Sequence, residues 1–417
     1  MRGDIKISPD SDRHDAVKRL LLDMISGATT PDLALIADLS PLEWDAVLRL
    51  AGQHRLMPLL HHRLRGAGAG WPVPELVRKA WQEAYCNAAL RSLSASALLS
   101  RLHCVFEGAG LPYAALKGAF LAWHAWPDPA LRPLRDIDVL VPREQAIEAQ
   151  ALLLANGFAT LPGGNPTDVA IEHHKHLAPV EDRKTGLCVE IHLALVDPGK
   201  LSTPQGCAHF SSAALGRRRT FGGEPAIRFL DPTDALLHLI VHAALDHSFD
   251  NGPLVLGDVL RLIQRHPPDW PVFWQRASEL GAERASMLVL GLAERYEGPI
   301  AIHRPSDVAL PPPVLVDAAA LMTLGDFERR QAMAFGVRLA SSGWRGRLNL
   351  AAHHATPHRH VVEKFATAGG GRTPIGIAYL RWAADRARDY ARSAFSPGIA
   401  DEVRAAARVS TWLAGET

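Results

Sequence analysis

The hydrophobic period of this chain changes twice, and that change narrows the possible folds more than any other feature. From about residue 40 to residue 107, apolar residues recur every three or four positions, the spacing of helices that bury one face. Between about 110 and 200 the apolar runs shorten, alternate with polar residues and are separated by Pro- and Gly-containing turns, the pattern of short strands. Helical spacing returns beyond about 230. The expected fold class is therefore α+β, with a small mixed-sheet core flanked by helical N-terminal and C-terminal regions. The expected divisions are 1–110 (helical), 111–200 (core), 201–310 (a helical region completing a cleft) and 311–417 (helical), with "PPPVLV" near residue 311 as a linker.

Local signals support this outline. Ser40, Pro41 and Glu43 form a capping-box signature ahead of a helical pattern that reads on to "LLHHRL". A second helix is expected from about Pro74 to Glu107, stopped by Gly108 and Gly110. "LPYAAL" reads as a strand, "KGAFLAWHAW" as a short helix, "PDPALRPLR" as a loop and "DIDVLV" as a second strand. "PREQAIEAQALLLANGF" reads as a helix, and "HLAPVEDRKTGLCVEIHLAL" as a hairpin turning near Gly186. Asp231 is the expected cap of the histidine-bearing "DPTDALLHLIVHAALDH". Helices are expected in the last hundred residues, interrupted by "AGGGRTP" at 368–374.

Composition excludes several classes. The 45 Lys and Arg nearly balance the 44 Asp and Glu, so no global basic field calls for nucleic acid or an anionic membrane. No window reaches the roughly 20 apolar residues of a membrane span. The start of the chain is polar and lacks the apolar stretch of a signal peptide. Cys86, Cys104, Cys188 and Cys207 show neither a CxxC pair nor zinc spacing, which suits reduced cysteines in a cytoplasmic protein.

"DIDVLV" carries the chemistry. Residues two apart on a strand share a face, so Asp136 and Asp138 present two carboxylates side by side, where each raises the other's pKa. A divalent cation relieves that conflict, and Mg²⁺ in particular takes a few carboxylate oxygens together with substrate phosphate oxygens. Glu190, in the otherwise apolar "LCVEIHLAL", offers a third carboxylate with His192 on its face. Lys117 and Gly118 occupy a strand-to-helix turn, where backbone N–H groups and a close backbone approach suit phosphate. Arg132 and Arg135 flank the aspartates and can neutralise a triphosphate; the alternative for each is a surface ion pair.

The segment "LKGAFLAWHAW…LRPLRDIDVLV…VEIHLAL" resembles the bacterial family of uncharacterised nucleotidyltransferases, within the superfamily typified by DNA polymerase beta. "PLEWDAVLRLAGQHRLMPLL" and "DPTDALLHLIVHAALDHSF" match that family's helical N-terminal region and the histidine-bearing helix after its core, so the likeness covers roughly 40–300. It implies a nucleotidyltransferase-like core. Asp136 and Asp138 become metal ligands, Glu190 the third carboxylate that binds metal or helps deprotonate the acceptor, and Gly118 part of the phosphate turn. One departure stands out: the superfamily follows its first glycine with Gly or Ser, whereas Ala119 follows Gly118 here and Lys117 precedes it. Lys117 or an arginine then takes the missing hydroxyl's place.

The expected reaction is transfer of a nucleoside monophosphate from an NTP, ATP foremost, to an acceptor with release of pyrophosphate, supported by Mg²⁺ or Mn²⁺. A small-molecule or peptide acceptor is favoured over nucleic acid, and no membrane partner is expected. Two alternatives remain: a nucleotide-binding sensor or scaffold without turnover, and a kinase using the same Mg-NTP site. His174, His176 and His192 are possible substrate contacts. A zinc site built on His173, His174 and His176 is the sharper reading, and polar strand residues at a cleft edge the plainer one. His238, His242 and His247 either line the cleft or are buried and hydrogen-bonded. Asp258, alone in an apolar helix, reads as a structural partner ahead of a nucleotide contact, and the Arg-rich C-terminal helices as solvated faces ahead of an RNA-binding surface.

Overall fold

The computed structural model describes residues 9–67, 70–161, 167–197, 204–223, 225–327, 329–341, 362, 374–395 and 397–415. The interruption expected at 368–374 lies, except for Pro374, outside these residues. The chain divides into two compact units, Arg19–Pro311 and a smaller one made of Met1–Lys18 with Pro312–Thr417. No helix among the described residues is long and apolar enough to cross a membrane.

The larger unit is the α+β part. It takes in the end of α1 (Pro9–Ile25) and then α2 (Leu33–Ala37), α3 (Pro41–Gln53), α4 (Met57–Gly66) and α5 (Glu75–Gly108). The capping box at Ser40 forms as the sequence requires: the Ser40 hydroxyl accepts from the Glu43 N–H, and Glu43 accepts from the Ser40 N–H. The helical pattern starting there does not run on unbroken. It stops at His54 and turns at Arg55, whose φ is +59°.

The sheet is mixed and five-stranded: β1 (Ala114–Ala115), β2 (Asp136–Leu140), β3 (Phe158–Thr160), β4 (Val180–Asp182) and β5 (Cys188–His192), in the order β1-β2-β5-β4-β3. β2 and β5 run parallel at its centre, and all other pairs are antiparallel. The β4–β5 hairpin turns at Gly186, φ +66°. β3 was not anticipated; "FAT" is too short and too polar to stand out, and it is a strand because β4 offers it an edge.

Between the strands lie α6 (Gly118–His124), α7 (Ala146–Ala155) and α8 (Thr167–His173). Ile137, Val139, Val189 and Ile191 are buried on one face of the central pair. After the sheet come α9 (Pro204–Gly216), α10 (Pro232–Val241), a π-helical turn at His242–Asp246, α11 (Leu254–Arg265), α12 (Trp270–Leu280) and α13 (Glu283–Glu297). Asp231 caps α10 by accepting from the Thr233 N–H at 3.1 Å. The smaller unit is helical in its described residues, with helices Pro313–Met322, Arg330–Ser341, Ile375–Phe395 and Pro397–Leu413.

Candidate active site

The parallel register of β2 and β5 decides where the carboxylates meet. Asp138 lies opposite Glu190, Asp136 opposite Cys188 and Leu140 opposite His192. Side chains at paired positions share a face, so Asp136, Asp138, Glu190 and His192 all project from the face opposite the Ile137–Val139 core. Ligand atoms of Asp138, Glu190 and His192 lie within 4.8 Å of one another, the one such group among the described residues. Neither His174 nor His176 enters a comparable group among the described residues, and the zinc alternative also needs His173, whose side chain lies outside them.

The turn after β1 completes the arrangement. The Leu116 N–H donates to the Asp138 carbonyl at 2.9 Å, which stitches the turn to β2. Lys117 follows with φ +45°, a conformation that non-glycine residues rarely hold outside functional sites. Its ammonium donates to Asp138 Oδ1 at 3.1 Å. Gly118 is a glycine for a packing reason: a Cβ there would stand 2.3 Å from Leu134 Cδ2 and 3.4 Å from Arg132 Nη1.

The charges are unevenly compensated. Burial alone would raise Asp138, but Lys117 and the hydrogen bond from His192 hold it well below the ordinary carboxylate range. Glu190 is likewise lowered, its burial outweighed chiefly by His192. Burial and Lys117 act to lower His192, yet its bonds to Asp138 and Glu190 raise it. Its Nε2 lies 2.7 Å from Asp138 Oδ1 and its Nδ1 3.3 Å from the Ala194 carbonyl. Both partners accept, which favours a ring protonated at both nitrogens. His192 orients the Asp138 carboxylate and also belongs to the Asp138–Glu190 group of possible ligands. Asp136 is left without such help, and burial, Asp138 and Glu190 push it up to about 6.

Of the other residues singled out by sequence, His176 brings Nε2 to 3.9 Å from Glu190 Oε2, and its ring centroid lies 5.4 Å from that of His192. His174 is half-buried just past α8, and the side chain of His173 lies outside the described residues. Arg132 Nε donates to both oxygens of the buried Asp258, at 2.8 and 2.9 Å, and Trp126 Nε1 donates to the same carboxylate at 2.7 Å. Asp258 thus holds Arg132 over the Gly118 turn. Arg135 is exposed at the mouth of β2. His238 and His242 are held well below the ordinary histidine range, by burial first and Lys117 next.

Two contributors escaped sequence reasoning. Lys175, inside "IEHHKHL", is buried and bonded to Asp246, with its Nζ 3.3 Å from His242 Nδ1. It ties the segment before β4 to the π turn. Arg55 reaches the loop before β2, where Nη1 donates to the Pro133 carbonyl at 3.2 Å. Nothing in an unbroken helical pattern marks a residue as a turn, so no local signal pointed to Arg55.

The donor set fits a hard divalent cation. It is rich in carboxylate oxygen, as such ions prefer, and the half-buried Asp136 carboxyl forms no direct ion pair among the described contacts. No curated protein and no solved structure matches the chain. A family match does cover residues 40–298, which take in the whole sheet, the Lys117 turn and the π-turn helix. With that span, well over half its length, the chain belongs to the family described as uncharacterised nucleotidyltransferase.

Proposed function

We infer that the chain transfers a nucleoside monophosphate from an NTP to an acceptor hydroxyl and releases pyrophosphate. The observation that carries this reading is the triple of carboxylates on one face of β2 and β5, with Asp136 left uncompensated beside Asp138 and Glu190. Asp136, Asp138 and Glu190 are the residues that would hold a divalent ion such as Mg²⁺ or Mn²⁺. When bound, that ion supplies neutralisation of the triphosphate and acidifies the acceptor hydroxyl.

The chain's own residues do the rest. Arg132, fixed by Asp258, and Arg135 lie on the segment entering β2, where guanidinium groups suit the leaving phosphates. Lys117 neutralises Asp138 and adds positive charge beside the Gly118 turn. His192 fixes the Asp138 carboxylate in one rotamer. Glu190 would take the acceptor proton as the acceptor oxygen bonds to the α-phosphorus and the bond to pyrophosphate breaks. Most of the catalysis is then positioning and charge neutralisation. His176, beside Glu190, belongs to the acceptor side, and a small molecule or peptide is the acceptor class proposed. ATP is the nucleotide to test first.

The deciding experiment follows α-³²P- and γ-³²P-labelled NTPs with Mg²⁺ and candidate acceptors, in wild type and Asp138→Asn. Label from the α-position on the acceptor, with pyrophosphate release lost in the variant, is the expected result. Transfer of the γ-label would make the enzyme a kinase. Metal-dependent NTP binding without any product would make it a sensor.

A further inference from the structure

Three helices of the larger unit end in the same motif, and one of them breaks its usual rule. At the end of α5, Leu111 N–H bonds the Phe106 carbonyl and Gly110 N–H that of Glu107, with Gly110 at φ +66°. At the end of α12, Ala282 bonds Ala277 and Gly281 bonds Ser278, with Gly281 at φ +66°. At the end of α3, Leu56 bonds Ala51 and Arg55 bonds Gly52, with φ +59° at Arg55. This is the Schellman pattern, whose left-handed seat normally belongs to glycine. The chain uses glycine in two such seats and arginine in the third, although an L side chain there has a conformational cost.

The side chain in that seat points to what offsets the cost. Arg55 Nη1 donates to the Pro133 carbonyl, in the short segment that carries Arg132 and Arg135 into Asp136. Its Nε is buried and has no hydrogen-bond partner. Burial, then Arg132, then Arg135 lower its pKa to about 10, and Asp136 and Asp258 offset this only in part. The Arg55 guanidinium therefore meets the segment that carries Arg132 and Arg135, with one buried N–H still to be satisfied, at the mouth of a carboxylate site. A structural staple for the loop would need only the Pro133 contact. A buried, unpaired N–H beside two further guanidiniums is the complement of a multiply charged oxyanion.

We propose that Arg55 is a phosphate-positioning residue: it brings a third guanidinium from the helical region to the polyphosphate of the bound nucleotide. This rests on the nucleotidyl-transfer reading and extends its phosphate set across the α3–α4 turn. It predicts that the contribution of Arg55 grows with the number of phosphates on the ligand.

Arg55→Gly is an unusually clean test, because glycine is the residue the backbone prefers at this seat. The variant should keep its melting temperature or gain slightly. Arg55→Lys keeps both the charge and the backbone cost but loses the fork. Calorimetry would measure inorganic tripolyphosphate, NTP, NDP and NMP against wild type, Arg55→Gly and Arg55→Lys. Removing a hydrogen bond to a charged group predicts a loss of about ten- to a hundredfold for tripolyphosphate and NTP. A smaller loss is expected for NDP, almost none for NMP, and intermediate values for Arg55→Lys. In turnover, KM for NTP should rise more than kcat falls. Equal binding of tripolyphosphate by Arg55→Gly and wild type overturns the proposal, as does an equal loss for NMP and NTP. Wild type that binds NTP but not tripolyphosphate also overturns it while leaving the transfer reading standing. The α-label assay decides that reading separately.

Discussion

Asp136 is where function and stability oppose each other most directly. Its carboxyl titrates near 6 because burial and two neighbouring carboxylates disfavour its charge. A folded-state pKa above the unfolded value means the folded state binds the proton more tightly. Its stabilising contribution is complete below about pH 4 and is lost as pH rises through about 6. At pH 8 the ionised group therefore works against folding, and Asp136→Asn should stabilise the protein by about 2 to 3 kcal/mol. At pH 4 the gain should shrink below about 1 kcal/mol. Urea denaturation at the two pH values checks this, and the same variant should lose any divalent-dependent rise in melting temperature. His192 works through Asp138, so His192→Ala should lower kcat about ten- to a hundredfold, the usual cost of removing a group that orients a ligand. Steady-state kinetics at saturating Mg²⁺ would show it. A merely structural role would appear instead as lost stability with kcat intact in the folded fraction.

At the scale of elements, close packing around the α6 turn supports the site. Gly118→Ala would push a methyl into Leu134, a small-to-large change of the kind that costs about 1 to 3 kcal/mol. If that contact is the reason for the glycine, Leu134→Ala should recover part of the loss in a double-mutant cycle. Asp258→Ala should cost more, about 3 to 5 kcal/mol, because it strands the buried Arg132 guanidinium and the Trp126 N–H together. How far such relations can be read from sequence depends on their range. The carboxylates were legible because period-two alternation alone puts Asp136 with Asp138 and Glu190 with His192. The Ser40 box, the Asp231 cap and the Gly186 turn were legible for the same local reason. The parallel pairing that sets Asp138 against Glu190 is a long-range choice: alternation offered Glu190 as a third carboxylate but not the register in which it meets Asp138. Asp258 reads as structural, yet which cation it holds cannot be deduced from an apolar helix. Arg55 was hidden because its importance lies in a broken helix, and the hydrophobic period runs on regardless of the break.

For the whole molecule, every residue given a role here falls within Arg19–Pro311, and so does the family match. A chain of residues 19–311 should therefore bind NTP within about twofold of the full-length affinity if the two units act independently. Buried histidines respond to acid in the direction opposite to Asp136. Burial holds His14, in the smaller unit, down to about 4, and its Nε2 is 3.9 Å from Glu402. Burial likewise holds His238 and His242 well down in the larger unit. Here the unfolded chain takes up the proton first. Stability is complete above the unfolded value near 6.5 and falls as pH drops towards the folded one. For His14 this amounts to about 2 kcal/mol lost between pH 7.5 and pH 5. His238 and His242 add losses of the same sign in the larger unit, set against the raised groups Asp136, Asp246, Glu297 and His192 there. The urea midpoint of the smaller unit in the full chain should fall between those pH values. His14→Gln should blunt the fall in the full chain only, in the transition that reports the smaller unit. In residues 19–311, an acid response left unchanged by His238→Gln and His242→Gln would mean that both histidines already carry protons in the fold, and the neutral, buried pair beside Lys117 and Lys175 would have to be abandoned.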